Sequence, residues 1–415
     1  MIYPRTPGEW LSAIRVPWRP RAEAVRDVVF GPPHATDPGI VAVATSCADW
    51  LREAQDRSAS NDGGVARHFS LRSGWSDSYP ETTGYIVPTM LAWARVSGDG
   101  DFHSRARRML DWLTSIQFDC GAFPGGTIWQ VPQLPVTFNT GQVLLGLAAG
   151  AKEWPEFLGP MARAADWLCD TQDADGAWRA HPSPFSNHEE QTYEAHVAWG
   201  LFEAARVASD SRYASYGLAN VRWALQYQAS TGWFARCCLE DPERPLTHTL
   251  GYVLRGVVEA YRISGDTTFL DSATRCAEGA MSALLPSGAL PGHLNSNWGG
   301  PASWSCLTGS AQIAHCWLML AEMTGRTDFS EAGHRALAFV RRTVRLEGPA
   351  SVRGGVKGSF PVNGGYCWWE YPNWAAKFLL DALVLEGALL PRESSKPGSS
   401  ELGSSVRLAP SPIRQ

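Results

Sequence analysis

Apolar residues return at helical spacing in six segments of the chain, and four of these open on a glycine: Gly84-Tyr-Ile-Val, Gly141-Gln-Val-Leu, Gly251-Tyr-Val-Leu and Gly309-Ser-Ala-Gln. The third and sixth segments begin near Tyr193-Glu194 and Tyr371-Pro372-Asn373. Three segments end alike, at Ser97-Gly98-Asp99, Ser264-Gly265-Asp266 and Thr324-Gly325, followed by Phe102, Phe269 and Phe329. Glycine there predicts the end of a helix, and an Asp or Thr just after it predicts the cap of the next.

Between these segments a second pattern recurs: Trp in a helix-like stretch, Gln five residues on, then Gly. It reads Trp50 to Gln55 with Gly63, Trp112 to Gln117 with Gly121, Trp167 to Gln172 with Gly176, and Trp223 to Gln228 with Gly232. Degenerate copies follow at Ala273–Gly288 and Ala336–Gly355. Six units of helix, Gly-rich loop and helix, roughly 55–65 residues each, thus account for residues 41–390. One such pair cannot bury both its faces alone, whereas six pairs closed into a ring can. The expectation is an all-α fold, an (α/α)6 toroid with the more apolar, Gly-containing helices inside. Residues 1–40, rich in Pro and Arg, read as an irregular N-terminal extension, and residues 391–415, rich in Ser, Pro and Gly, as a disordered tail.

Composition narrows the picture. With 44% hydrophobic and 19% charged residues in 415, the chain should bury a large core. A formal charge of −5, with 36 Lys+Arg in no long cluster, argues against nucleic acid or an anionic membrane as partner. No apolar run is long and unbroken enough for a spanning helix, and Met1–Pro20 has no apolar core of a secretory signal, so a cytoplasmic location is expected. Nine Cys without a CxxC pair read as reduced thiols. Of the 19 Trp, Trp50, Trp112, Trp167, Trp178, Trp223 and Trp233 belong to the repeat and read as packing, whereas Trp75, Trp129, Trp298 and Trp368 stand just before the inner helices, where indoles can stack on sugar rings.

The Gln-to-Gly-Trp pattern resembles the QW motif of the squalene cyclase and prenyltransferase superfamily. The six hairpins also resemble the toroids of polysaccharide lyases, glucuronyl C5-epimerases and several glycoside hydrolases. Gly74-Trp75-Ser-Asp-Ser-Tyr79-Pro-Glu81, Cys306-Leu-Thr-Gly-Ser-Ala-Gln312 and Tyr371-Pro-Asn-Trp-Ala-Ala-Lys377 are similar to a bacterial group associated with polysaccharide biosynthesis. The resemblance implies architecture more than reaction, because one ring hosts many chemistries.

In such a ring the loops leading into the inner helices line one mouth, and helix N-termini aim free N–H groups there, which suits anions. Those six loops hold the candidates for catalysis: Glu81, Asn139, Glu190, Tyr193, His248, Tyr252 and Glu370. Candidates for binding are Arg72, Trp75, Tyr85, Trp129, His188, Trp298, Trp304, Trp368, Tyr371 and Asn373. Arg67, Tyr79, Gln142, Glu189 and Lys377 share the same mouth, and His248 and Tyr252, four apart, lie on one helical face.

Asn, His, Tyr and a carboxyl together suit abstraction of the C5 proton of a uronic acid. Asn139, a protonated carboxyl or an Arg would neutralise the substrate carboxylate. His248 or a tyrosinate would serve as base, and Tyr252 or Tyr193, its phenol pKa lowered, as acid, giving β-elimination or epimerisation. The alternatives are a glycoside hydrolase pairing Glu81, Glu190 or Glu370 across the cavity, a non-catalytic saccharide-binding toroid, and a terpenoid cyclase or prenyltransferase. The last lacks the Asp-rich acid motif, since Asp173-Ala-Asp175-Gly sits in a repeat turn. Cys306 with His248 lacks metal-site spacing, so no metal is expected. No phosphate-binding glycine loop appears, so no cofactor is expected either. The expected partner is an oligo- or polysaccharide.

Overall fold

The Trp–Gln stretches and the glycine-opened segments alternate as outer and inner helices of a closed ring. The computed structural model describes residues 18–389 except 187 and 189. In chain order the helices are α1 (Trp18–Phe30), α2 (Ile40–Asp56), α3 (Pro80–Ser97), α4 (Gly100–Ser115), α5 (Thr137–Ala151), α6 (Leu158–Asp170) and α7 (Ala195–Ala208). There follow α8 (Ser211–Leu225), α9 (Thr247–Ser264), α10 (Thr267–Ser282), α11 (Leu307–Thr324), α12 (Thr327–Thr343) and α13 (Asn373–Leu389). The odd-numbered helices from α3 to α13 form the inner ring, each packed on the next, and α13 closes onto α3. At that closure Thr89 Oγ1 donates to Asp381 Oδ1 at 2.7 Å. The first outer helix, α2, packs on the last inner one, so the two ends of the repeat array hold each other.

Why these segments go inside is visible in α5, where every residue but Ala149 is buried. A helix apolar all round can only be covered all round. Small residues let the inner helices approach closely: a Cβ on Gly84 would stand 2.4 Å from Val143 Cα, and one on Gly146 would stand 2.3 Å from the Gly84 carbonyl oxygen. Outer helices are one-sided; α12 buries Phe329, Leu337 and Val340 and turns Glu331 and Arg335 outward.

The repeat residues act as expected. Gln55 Nε2 donates to the carbonyls of Gly63 (2.9 Å) and Arg105 (3.3 Å), Gln117 Nε2 to those of Gly121 (2.8 Å) and Pro160 (2.9 Å), and Gln228 Nε2 to those of Gly232 (3.2 Å) and Ser272 (3.0 Å). Each amide therefore fixes its own turn and the neighbouring outer helix. Gly98, Gly265 and Gly325 cap helices in the left-handed region, with φ of 72°, 70° and 73°. Asp99 and Asp266 then accept from the backbone N–H two residues on, at 3.0 Å each; Arg326 after Gly325 makes no side-chain cap.

Two features differ from expectation. Residues 18–30 of the N-terminal stretch are helical rather than irregular, because α1 is anchored by tertiary ion pairs that local composition does not show. Lys357, almost wholly buried, binds Asp27 at 2.6 Å and Glu23 at 2.8 Å, and Asp27 Oδ2 accepts from the Val362 N–H at 2.9 Å. Residues 31–39 carry no helix or strand, with Asp37 paired to Arg341, and residues 1–17 and 390–415 lie outside the described residues. Secondly, the inner-helix N-termini are partly occupied by their own loops. The first N–H of α5, of the 3-10 turn before α7, of α9, α11 and α13 is taken by the carbonyl of His181, Arg236, Gly292, Gly358 and Arg67, respectively. The equivalent residue of α3 is Pro80, which has no N–H to satisfy. Each loop thus takes one of the donors at the helix end beside it, reducing what that end can offer an anion.

Short strands knit the mouth. β1 (His68–Ser70) pairs antiparallel with β2 (Gly74–Trp75) and with β5 (Glu370–Pro372), placing Phe69 opposite both Trp75 and Tyr371. β3 (Ser305–Cys306) pairs with β4 (Ser359–Phe360). The loops of the first, fifth and last inner helices are therefore tied into one rim.

Candidate active site

Several aromatic contacts join inner helices that are not neighbours in the ring, so they must cross its lumen. Phe138 of α5 lies edge-on to Tyr252 of α9 at 5.1 Å, and Phe378 of α13 lies 6.0 Å from Tyr252 and 6.4 Å from His196 of α7. Around Tyr252 stand His248 at 4.4 Å and His196 at 4.5 Å, with Tyr85 against Phe378 at 5.3 Å and Tyr193 against Phe138 at 5.4 Å. These residues occupy the first two turns of their helices, or the 3-10 turn before α7. The lumen below the mouth is thus a buried floor of Tyr, His and Phe.

Glu81, in the first turn of α3, stands over this floor and accepts a hydrogen bond from Tyr79 Oη at 3.2 Å. Burial pushes its carboxyl up to about 7, opposed by the Tyr79 hydrogen bond and the Arg67 charge. Its charge in turn acts on Tyr79, Tyr85, Tyr193 and Tyr252, which places it among them. His248 Nδ1 meets Gln312 Oε1 at 2.7 Å, and burial lowers the imidazole to about 4, so it is neutral at pH 7. With Gln Oε1 as acceptor, Nδ1 carries the hydrogen and Nε2 the lone pair. His196 repeats the device, its Nδ1 on Gln142 Oε1 at 2.7 Å.

Arg67 is the cation of the mouth. Its guanidinium lies 5.6 Å from the Tyr79 ring and 5.3 Å from the Trp374 ring, and it interacts with both Glu81 and Glu370. Glu370 on β5 is 3.6 Å from His68 Nε2, and burial raises its carboxyl while Arg67 lowers it. Lys377, fully buried, pairs with Asp381 at 2.7 Å and lies over the rings of Phe378 (4.2 Å) and Tyr85 (4.9 Å).

Of the residues expected in the site, Glu81, Tyr85, Tyr193, His248 and Tyr252 meet at this floor, and Glu370 reaches it through Arg67. Asn139 donates its amide to the Pro124 carbonyl at 3.1 Å and also hydrogen-bonds Tyr79, the phenol that donates to Glu81. Glu190 does not join them: it pairs with Arg179 at 2.7 Å and with Arg236, a network that also holds Asp173 and Asp175. The tyrosines depart from expectation in sign, since burial raises Tyr193 and Tyr252 well above the ordinary phenol value.

Several aromatic candidates are packing residues. Trp75 stacks on Trp50 at 5.4 Å and Phe69 at 5.1 Å. Trp298 donates to the Thr231 carbonyl at 3.0 Å and lies edge-on to Trp233 at 5.2 Å. Tyr371 is buried against Phe69 on the side of α1. Asn373 donates to the Ala66 carbonyl (2.9 Å) and Thr82 Oγ1 (2.8 Å) and so locks the ring closure. His188 sits on loop three near the Glu240 carbonyl, 3.4 Å away, and Glu189 lies outside the described residues. Arg72 and Trp368 pair at 5.8 Å on the outer rim, and Trp129 is 68% exposed on loop two.

Trp304 lines a groove of about 440 Å³ between the loops before α9, α11 and α13. The groove reaches Tyr366, whose ring lies 5.3 Å from His248 and whose Oη accepts from Trp374 Nε1 at 2.9 Å. Tyr366, Gln312, His196 and Phe378 were not anticipated as site residues. One signal existed for His196: it occupies the helical position held by Gly84, Gly141 and Gly251 in other repeats, where the inner helices pack closely and a large polar side chain is out of place. Among the described residues no group of three or more His, Cys, Asp or Glu could hold a metal ion, and no helix is long and apolar enough to cross a membrane. Cys306 Sγ instead accepts from the Gly309 N–H at 3.4 Å.

No protein-family model matches the chain, and no curated protein matches it in sequence. Solved structures do share its architecture. An unsaturated glucuronyl hydrolase specific for heparin superposes with a TM-score of 0.68 at 14% identity, covering 84% of this chain and 97% of its own. The unsaturated glucuronyl hydrolase of Bacillus sp. GL1 gives 0.64 at 16%, covering 82% and 94%. Cellobiose 2-epimerase from Bacillus thermoamylovorans gives 0.65 at 12%, covering 82% and 97%. The chain is an α/α toroid, as its repeat implied, and these enzymes share that fold.

Proposed function

We propose that this toroid is a carbohydrate-active enzyme that removes the C5 proton of a uronate in a glycan or glycan precursor, as a lyase or C5-epimerase. The observation that carries the reading is the meeting of a carboxyl whose titration is raised to about 7, Glu81, and an imidazole neutral at pH 7, His248, around one buried phenol, Tyr252. An acid and a base that coexist in their reactive forms near neutrality are what proton transfer at carbon needs. Arg67 meets the substrate carboxylate and stabilises the charge that develops on it, the role assigned above to Asn139 or an Arg. His248 Nε2 takes the C5 proton. Glu81 or Tyr252 then gives a proton to O4 as the C4–O4 bond breaks, or to the opposite face of C5. The similarity to toroids named for glucuronyl and sugar substrates supports a saccharide ligand. The partner in this reading is an oligo- or polysaccharide and the location the cytoplasm.

Glycoside hydrolysis is the second reading, favoured by one observation: Glu81 and Glu370, from different repeats, both face Arg67. Incubation with uronate-containing glycans in deuterated water separates the two. The first reading expects absorbance of a 4,5-unsaturated product or deuterium at C5, lost in His248→Ala; reducing ends released without either signal assign a hydrolase.

A further inference from the structure

The groove beside the floor can be read for its ligand. Its volume, about 440 Å³, falls in the range of roughly 300–1,000 Å³ that small-molecule sites occupy. It adjoins the site at Tyr366, which lines the groove and whose ring lies 5.3 Å from that of His248. Its wall from the loop before α9 carries Glu240, Asp241 and Arg244, and Asp241 already holds Arg244 Nη2 at 2.9 Å. The wall before α11 carries His293, whose Nδ1 lies 2.7 Å from the Arg244 carbonyl, and Trp304. The Trp304 ring rests on Gly292 and Gly364 and turns only an edge to the groove. Burial lowers His293, so it adds no positive charge at neutral pH. Two carboxylates against one guanidinium leave the groove net negative, its acceptors set among the apolar side chains of Leu239, Pro245, Leu246, Pro301 and Ala302.

Sulfate or carboxylate groups are repelled there, while hydroxyl and amide N–H donors are satisfied. We propose that the groove binds an uncharged sugar residue joined to the uronate, so that the substrate is an oligosaccharide in which a uronate adjoins a neutral sugar. The inference rests on the uronate reading above and extends it to the second residue.

Calorimetry on the full chain carrying Glu81→Gln tests binding apart from turnover. The probes are a tetrasaccharide alternating glucuronate with N-acetylglucosamine, the same chain 6-O-sulfated, and methyl glucuronide. The unsulfated tetrasaccharide should bind about tenfold or more tighter than methyl glucuronide, the scale of one or two hydrogen bonds to charged groups, and sulfation should remove that gain. Glu240→Lys, at an exposed position, should narrow the gap between the two tetrasaccharides about tenfold and leave methyl glucuronide unchanged. Equal binding of all three probes, no binding of any, or an equal effect of Glu240→Lys on all overturns the proposal. The uronate reading fails separately: neutral-sugar selectivity with no deuterium at C5 and no unsaturated product from the unsubstituted protein leaves the groove assigned and the reaction wrong.

Discussion

Glu81→Gln keeps the shape of the side chain and removes its titration. In the folded protein burial outweighs the help of Tyr79 and Arg67, and the carboxyl titrates at about 7 rather than 4.5. The folded state therefore keeps a proton that the unfolded chain releases between those values. Stability from this group is fully present below pH 4.5, falls as pH rises, and is gone above about 7. Between pH 5 and pH 8 the change is about 2–3 kcal/mol. Gln carries no such dependence. Urea unfolding of both proteins at the two pH values should therefore show the variant gaining about 2–3 kcal/mol on the parent as pH rises. In the same variant, turnover of a uronate glycan should fall by about 10²–10⁴ if Glu81 is the acid. A stability difference that stays constant from pH 5 to pH 8 refutes the buried, protonated carboxyl. Undiminished turnover refutes its role.

The activity profile should rise as His248 loses its proton near pH 4 and fall as Glu81 loses its own near pH 7; a profile flat across both limbs removes the pair. Gln312→Leu takes away the Nδ1 partner of His248, which holds the imidazole slightly basic, so the acidic limb should move lower as kcat/KM drops about tenfold. A drop with the limb unmoved would mean lost packing instead. Lys357→Met strands Asp27 without its cation and should cost about 3–5 kcal/mol in chemical denaturation; adding Asp27→Asn should recover part of it. Gly84→Ala forces the α3–α5 contact apart and should destabilise by about 3 kcal/mol or more, measured the same way; a neutral result would mean the inner helices are not in close contact.

Sequence alone determined the ring. Helical periodicity, the Trp–Gln–Gly spacing and the Gly98 and Gly265 stops are local signals, and six repetitions leave one way to bury both faces of every hairpin. It also singled out Glu81, Tyr193, His248 and Tyr252, at the entries of the inner helices, which the closed ring brings together. Tertiary structure decided which rim groups are free to act. Glu190 is spent on arginines that include Arg236, and Trp298 on Trp233, because each finds a partner in another loop. It also brought in His196, Gln312 and Tyr366, which touch the site only after six helices close around one lumen. A residue's period along the chain tells which face it occupies. Its protonation state and its partners depend on what the closed ring places across from it, and burial in that lumen is what raises the Glu81 carboxyl and lowers the His248 imidazole.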